Sequence, residues 1–300
     1  MAKTAKSTAR QRAEHARQAR ERAQHRARRV RTAWWAIAAG PAFVVLLLLI
    51  NVAVRSGGGT SSPLPAGPLS ASALAALSPS ASTLDSAGRG AGVTFPTRAD
   101  NQPALTADGK PLVLYVGAEY CPFCASQRWA LTIALSRFGT FSGLTASHSA
   151  SDDVFPNTPT VSFHGSTYTS DLLAFQGVEL ATNERSGGRY TPLDTLTAEQ
   201  QQLLATYDAP PFTQSAGAVP FVDFGNRFLQ TGSSYSPQLL AGMSVDDVAA
   251  ALTNEPNGEV AQAIFGAANA FTAILCGLTG GAPADVCTSP AATAYQQEVG

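Results

Sequence analysis

Four cysteines are the residues of this 300-residue chain best suited to chemistry, and they fall into two pairs. Cys121 and Cys124 lie in "AEYCPFCASQRW", separated by two residues; Cys276 and Cys287 lie in "ILCGLTGGAPADVC". A Cys-x-x-Cys pair admits three chemistries: thiol–disulfide exchange, half of a zinc site, or a short structural disulfide. Zinc needs further ligands at suitable spacing. The second pair is too widely spaced for a zinc knuckle, and His148 and His164 show no ligand pattern, so no metal is expected. A purely structural Cys121–Cys124 bridge would close too short a loop to constrain the unfolded chain much. Cys276–Cys287 reads as a structural disulfide, with Gly277 able to end a helix and a Gly/Pro-rich loop returning the chain. Closing that loop is worth roughly 3 kcal/mol in the entropy picture. The other reading of this pair is a relay of electrons to or from Cys121 and Cys124.

The elements around the first pair decide how it behaves. "PLVLYVG" (111–117) reads as a buried strand, and "CASQRWALTIALSRFG" as a helix with Leu131, Ala134, Leu135 and Phe138 on one face and Gly139 as its stop. Cys121 therefore sits at a strand-to-helix junction, and Pro122 fits the first helical turn. Unpaired N–H groups and the positive helix end favour the thiolate over the thiol, which makes Cys121 the attacking sulfur. Cys124, one turn on, is placed to resolve a mixed disulfide. Glu119 opposes thiolate formation if it lies close, and is a candidate proton acceptor for Cys124. Phe123 offers an apolar landing site for a substrate, and Trp129 reads as a packing residue. Downstream, "GLTASHSA" (143–150) is a possible strand and 151–218 has mixed character. Thr197 opens a helix with a capping box to Gln200. "AVPFVDFGNRFLQ" (218–230) reads as a hairpin turning at Gly225-Asn226. Ser244 and Asp247 start a further helix, and an apolar stripe runs from Glu259 to Leu275. This is an α/β order.

The net charge of −1 conceals a division along the chain. Residues 1–31 carry eleven Lys/Arg against Glu14 and Glu21, or +9, which leaves nine basic and nineteen acidic residues, or −10, for the remainder. Between these halves, residues 32–54 include an apolar run long enough to span a bilayer core of about 30 Å, with Trp34 and Trp35 at one edge. The run exceeds the apolar region of a cleaved leader, so it is expected to be a signal anchor. The positive-inside rule places 1–31 in the cytoplasm and the remainder outside the plasma membrane. The basic tail has no aromatic interleaving or fold signature for nucleic acid, and no nucleic-acid partner is expected. Residues 55–92, rich in Ser, Pro, Gly and Ala, read as a disordered linker, and 93–300 as one globular domain.

"LVLYVGAEYCPFC", a following helix and then "AVPFVDFGNRF" about a hundred residues later resemble the thioredoxin superfamily. The anchor and the long insertion are more similar to an uncharacterised, membrane-anchored thioredoxin-like family of actinobacteria and archaea. The resemblance implies a thioredoxin-like fold with a long insertion before the cis-proline hairpin. It implies that Cys121 is the nucleophile, Cys124 the resolving thiol and Pro220 the cis-proline, with Val219 just before it against the substrate. Pro159, in a second Thr-Pro-Thr at 158–160, is a rival for the cis position. Tyr120 stands where thioredoxins usually carry Trp. The implied activity is protein thiol–disulfide exchange on cysteine-containing envelope or secreted proteins, with no dissociable cofactor. A quinone-linked membrane protein is the implied redox partner. The direction of electron flow stays open, and so does the alternative of a redox-inactive thioredoxin-like binding module that docks through 151–218.

Overall fold

The computed structural model describes residues 67–300. The basic tail, the expected anchor at 32–54 and the first part of the expected linker lie outside the described residues. The chain begins with β1 (Gly67–Pro68), α1 (Ala71–Ala76) and α2 (Ala81–Ala87). Next come β2 (Thr97–Arg98), β3 (Thr106–Ala107), β4 (Lys110–Gly117) and α3 (Pro122–Ser136). Short strands β5 (Thr140–Ser142), β6 (Thr145–His148), β7 (Pro159–Ser162) and β8 (Thr167–Thr169) precede β9 (Ala174–Glu179). A hairpin of β10 (Ala181–Ser186) and β11 (Arg189–Pro192) leads to α4 (Ala198–Tyr207), then to β12 (Phe221–Phe224) and β13 (Phe228–Thr231). Helices α5 (Val245–Asn254) and α6 (Glu259–Leu278) follow, then the short α7 (Ala284–Cys287), α8 (Pro290–Thr293) and α9 (Gln296–Val299).

β4 is the centre of the main sheet. It pairs in parallel with β9, Leu112 opposite Ala174 through Gly117 opposite Glu179, and antiparallel with β12 on its other edge. β13 and β2 extend the sheet beyond β12. The apolar run of β4 follows from this position, because a central strand covered on both faces alternates between two interiors rather than between core and water. Val113, Tyr115, Val222 and Phe224 enter the large core that α3 and α6 fill. Leu114, Val116 and Val178, with Phe221 and Leu229, face the other way, against Leu203 and Leu204 of α4. The molecule is thus a mixed α/β structure with helices on both sides of its main sheet.

α4 and α5 begin with the expected caps. Thr197 with Gln200, and Ser244 with Asp247, each satisfy two otherwise orphan N–H groups reciprocally. α6 is long and apolar enough to cross a membrane by length and composition, but 78% of its apolar window is buried inside the molecule. It is the core helix, packed on α3.

The structure corrects two expectations. Residues 67–92 are not a tether. Ser70 and Ser80 cap α1 and α2, and Ala73, Ala76, Leu77, Leu84 and Ala87 are buried in the main core. Asn269 of α6 donates to the carbonyls of Leu84 and Gly88, both at 2.8 Å. Small alanine side chains let α1 lie close to α5 and α2 close to α6, so a composition that suggests a linker still buries a continuous surface. Gly90 makes the tightest approach. At φ 63°, a Cβ there would lie 2.1 Å from the Gln262 carbonyl oxygen and 2.8 Å from the Gly266 Cα. The second correction concerns 151–218, which is not an insertion appended to the sheet. It holds β9, the parallel neighbour of β4, and α4, which covers one face. The strand expected at 143–150 is β6, which belongs to a separate three-stranded sheet, β1-β6-β7.

Candidate functional site

Cys121 is the N-cap of α3, in extended conformation at φ −82° and ψ 121°, with Pro122 at the first helical position. Its sulfur occupies the place of a capping oxygen and accepts from the Cys124 backbone N–H at 3.4 Å. The second neighbour comes from far along the chain. The Cys121 thiol donates to the Val219 carbonyl at 3.7 Å, and the Val219–Pro220 peptide bond is cis. Thr158–Pro159 is not among the cis bonds; Pro210–Pro211 and Ala282–Pro283 are. The structure therefore brings Cys121, Phe123, Cys124, Val219 and Pro220 to one place. Pro159 does other work nearby, its carbonyl accepting from Trp129 Nε1 at 2.9 Å.

Both sulfurs are free thiols in this structure, and their surroundings drive them apart. The hydrogen bond from Cys124 lowers the Cys121 pKa to about 7 against the opposing effect of burial, and the N–H groups of Cys124 and Phe123 and the Arg128 charge assist. Cys124 is wholly buried and is pushed well above the ordinary thiol value, first by burial and then by Cys121. One sulfur is poised as a thiolate at neutral pH and the other as the thiol that donates to it.

Beneath the pair lies a buried ionic cluster. Arg128, one turn beyond Cys124, is fully buried and grips Glu179 with two bonds, Nε to Oε1 at 2.7 Å and Nη2 to Oε2 at 2.6 Å. Its Nη2 also reaches the Ala118 carbonyl, and its Nη1 stands 3.7 Å from Glu119 Oε2. Glu119 accepts from Ser147 Oγ at 2.5 Å and Ser162 Oγ at 2.6 Å. One guanidinium cannot neutralise two carboxylates. Burial raises Glu179 to about 8, opposed by Arg128 and reinforced by Glu119. Glu119 is thus held toward Ser147 and Ser162, and Glu179 is the carboxylate joined to the helix that carries both cysteines.

The rim on one side is aromatic. Tyr120 stacks on Tyr190 of β11, centroids 4.1 Å apart and planes within 5°. The Arg185 guanidinium covers the far side of the Tyr190 ring at 4.0 Å. Arg185 and Tyr190 both reach Asp152, at 3.0 and 3.2 Å. Phe123 meets Phe155 edge-on, centroids 5.8 Å apart. The β10–β11 hairpin, the loop after β6 and Tyr120, the residue before Cys121, are therefore one connected assembly.

The second cysteine pair forms a disulfide that joins the last turn of α6 to α7, with Cα atoms 5.4 Å apart. His164 pairs with Asp194 at 2.7 Å, and His148 Nδ1 lies 2.9 Å from the Ser149 carbonyl. Among the described residues no group of three or more His, Cys, Asp or Glu side chains could hold a metal ion. The sequence carries faint signals of the residues it did not reveal. Arg128 directly precedes the apolar run Trp129-Ala130-Leu131 of the helix, and Glu179 lies between Val178 and Leu180; charges set against apolar neighbours suggest burial in a pair.

A family model described as a domain of unknown function, DUF929, matches residues 97–187. The match takes in Cys121, Cys124, Arg128 and Glu179 and ends before Pro220. No curated protein and no solved structure shows significant similarity to the chain.

Proposed function

We propose that this chain is a thiol–disulfide oxidoreductase of thioredoxin-like fold, anchored in the plasma membrane by residues 32–54 and acting outside it on cysteine-containing envelope or secreted proteins. The fold reading is supported by the order β4–α3–β9–α4–β12–β13, with β9 parallel and β12 antiparallel to β4. In this reading the extra structure falls chiefly between α3 and β9 rather than directly before Pro220. The observation that carries the activity is the position of the Cys121 sulfur, at the N-cap of α3 beside the carbonyl that precedes cis-Pro220.

In the reducing direction, the Cys121 thiolate attacks one sulfur of a substrate disulfide. The Cys121–substrate bond forms as the substrate S–S bond breaks, and the other substrate sulfur leaves as a thiolate. Cys124, once deprotonated, attacks the Cys121 sulfur; the Cys121–Cys124 bond forms and the second substrate thiolate leaves. Two electrons have then passed from the dithiol to the substrate. In the oxidising direction the same bonds change in reverse, and a quinone-linked membrane protein re-forms the Cys121–Cys124 disulfide. The high pKa of buried Cys124 means that resolution requires loss of its proton within a buried site where Arg128 favours and Glu179 opposes the resulting thiolate.

Acid-quenched thiol trapping of the full chain tests the activity. Cys124→Ala should accumulate mixed disulfides through Cys121, and Cys121→Ser should not. If no mixed disulfide accumulates and Cys121 titrates near the free thiol value of about 8.5, the chain is a redox-inactive module. The reduction potential of the pair then assigns direction: about −270 mV favours a reductase and about −120 mV a strong oxidant.

A further inference from the structure

Among the described residues, three large apolar side chains are exposed: Leu74 on α1, Phe123 at 38% and Val154 at 63%. Phe123 lies two residues after Cys121, and Val154 lies in the loop whose Phe155 packs on Phe123. A single exposed valine needs no explanation, but apolar side chains held rigidly beside a nucleophile do. The loop after β6 that carries Val154 and Phe155 is firmly built. The Phe155 carbonyl accepts from Ser149 Oγ at 3.0 Å and Thr158 Oγ1 at 2.9 Å, and Asn157 N–H closes onto the Ala150 carbonyl. Ala150 N–H donates to the Tyr120 carbonyl at 2.9 Å, which ties the loop to the residue before the nucleophile. From outside, Arg185 and Tyr190 hold Asp152, two residues before Val154. This support leaves Val154 in solvent and sets Phe155 against Phe123.

We infer that Phe123, Val154 and Phe155 form an apolar subsite for a large apolar or aromatic side chain that flanks the reactive cysteine of an extended polypeptide. The inference rests on the exchange reaction proposed above and names its substrate class. The occupant follows from the geometry: a chain joined covalently to Cys121 must place its neighbouring side chains within a few ångströms of that sulfur, and on this side it meets Phe123 and the Val154–Phe155 loop. Such segments are apolar where a folded protein would bury them, so the subsite selects chains that are not yet folded. Asp152, Arg185 and Tyr190 are positioning residues for it.

The test uses the full chain with Cys124→Ala, so that the first step is isolated. Two peptides, Gly-Phe-Cys-Phe-Gly and Gly-Gly-Cys-Gly-Gly, each carry their cysteine as a mixed disulfide with thionitrobenzoate. The Cys121 thiolate attacks the peptide sulfur, the Cys121–peptide disulfide forms, and thionitrobenzoate leaves as its coloured thiolate. Each rate is divided by that peptide's rate with glutathione. The phenylalanine peptide should react about tenfold faster, the value for roughly one partly buried aromatic side chain. Val154→Ser and Phe155→Ala should each reduce that preference severalfold and leave the glycine peptide's rate unchanged. Equal rates for the two peptides, or variants that slow both alike, would overturn the subsite while the exchange reaction stands. If the glycine peptide also releases no thionitrobenzoate, the exchange reading fails and the subsite with it.

Discussion

The two cysteine pairs occupy opposite ends of helices, and their chemistry differs accordingly. Cys121 caps the N-terminus of α3, where free N–H groups and the positive helix end stabilise a thiolate. Cys276 lies in the last turn of α6, at the negative end of the helix, where a thiolate would be disfavoured; it is instead tied to Cys287. The first pair spans one helical turn and differs sharply within itself, one sulfur lowered to about 7 and the other pushed well above the usual value. The second pair clamps a terminal segment, α7 to α9, onto the core helix. Helix polarity and loop length, more than the cysteine itself, separate a thiol of lowered pKa from a staple.

The largest effect that could break this contrast is on exchange. Cys121→Ser should lower the mixed-disulfide rate by about a thousandfold or more, and Cys276→Ser with Cys287→Ser should leave it unchanged. A comparable loss in the double variant would make the second pair a relay. On stability the ranking reverses. The double variant should lose about 3 kcal/mol in urea unfolding, and Cys121→Ser much less. An intermediate effect comes from pH. Glu179 has a folded pKa, about 8, above its unfolded value, so its contribution to stability is complete below the unfolded pKa and is lost as pH rises toward 8. Glu179→Gln should flatten the decline in unfolding free energy between pH 5 and 8; an unchanged slope would show that Glu179 is ionised throughout. Cys121 acts in the opposite sense, because its lowered pKa adds stability as pH rises from about 7 toward the unfolded thiol value. Alkylation of Cys121 should therefore rise with pH and reach half its maximal rate near pH 7. The smallest expected effect belongs to Arg185→Ala. It removes an exposed ion pair worth under about 1 kcal/mol, and should shift peptide preference more than it shifts unfolding.

Local features of the fold could be read from the residues, and non-local ones largely could not. The strand into Cys121, the helix out of it, both capping boxes and the hairpin at 221–231 each depend on neighbours within a few residues. β9 was hidden because its partner lies some sixty positions earlier and "AFQGVE" lacks clean alternation; parallel pairing leaves no turn signal. α1 and α2 were hidden by composition, since alanine and serine describe a linker and a thin, well-capped helix equally well. At the site, Cys121 and Cys124 were legible from spacing, and Pro220 from the resemblance to the thioredoxin superfamily. Arg128 with Glu179, and the Asp152–Arg185–Tyr190–Tyr120 assembly, were not, because flanking residues can hint that a charge is buried but do not name the distant partner it meets.

The contact between Gly90 and Gly266 has a consequence for how this chain can diverge. A Cβ at Gly266 would lie 2.5 Å from the Arg89 carbonyl oxygen and 2.8 Å from the Gly90 Cα, and a Cβ at Gly90 meets backbone in the same way. Since the obstacle at each position is main chain, no side-chain change at the other makes room. The two positions cannot trade mutations as packed side chains do. They are frozen independently, so a compensated pair of substitutions at 90 and 266 is an evolutionary step closed to this fold.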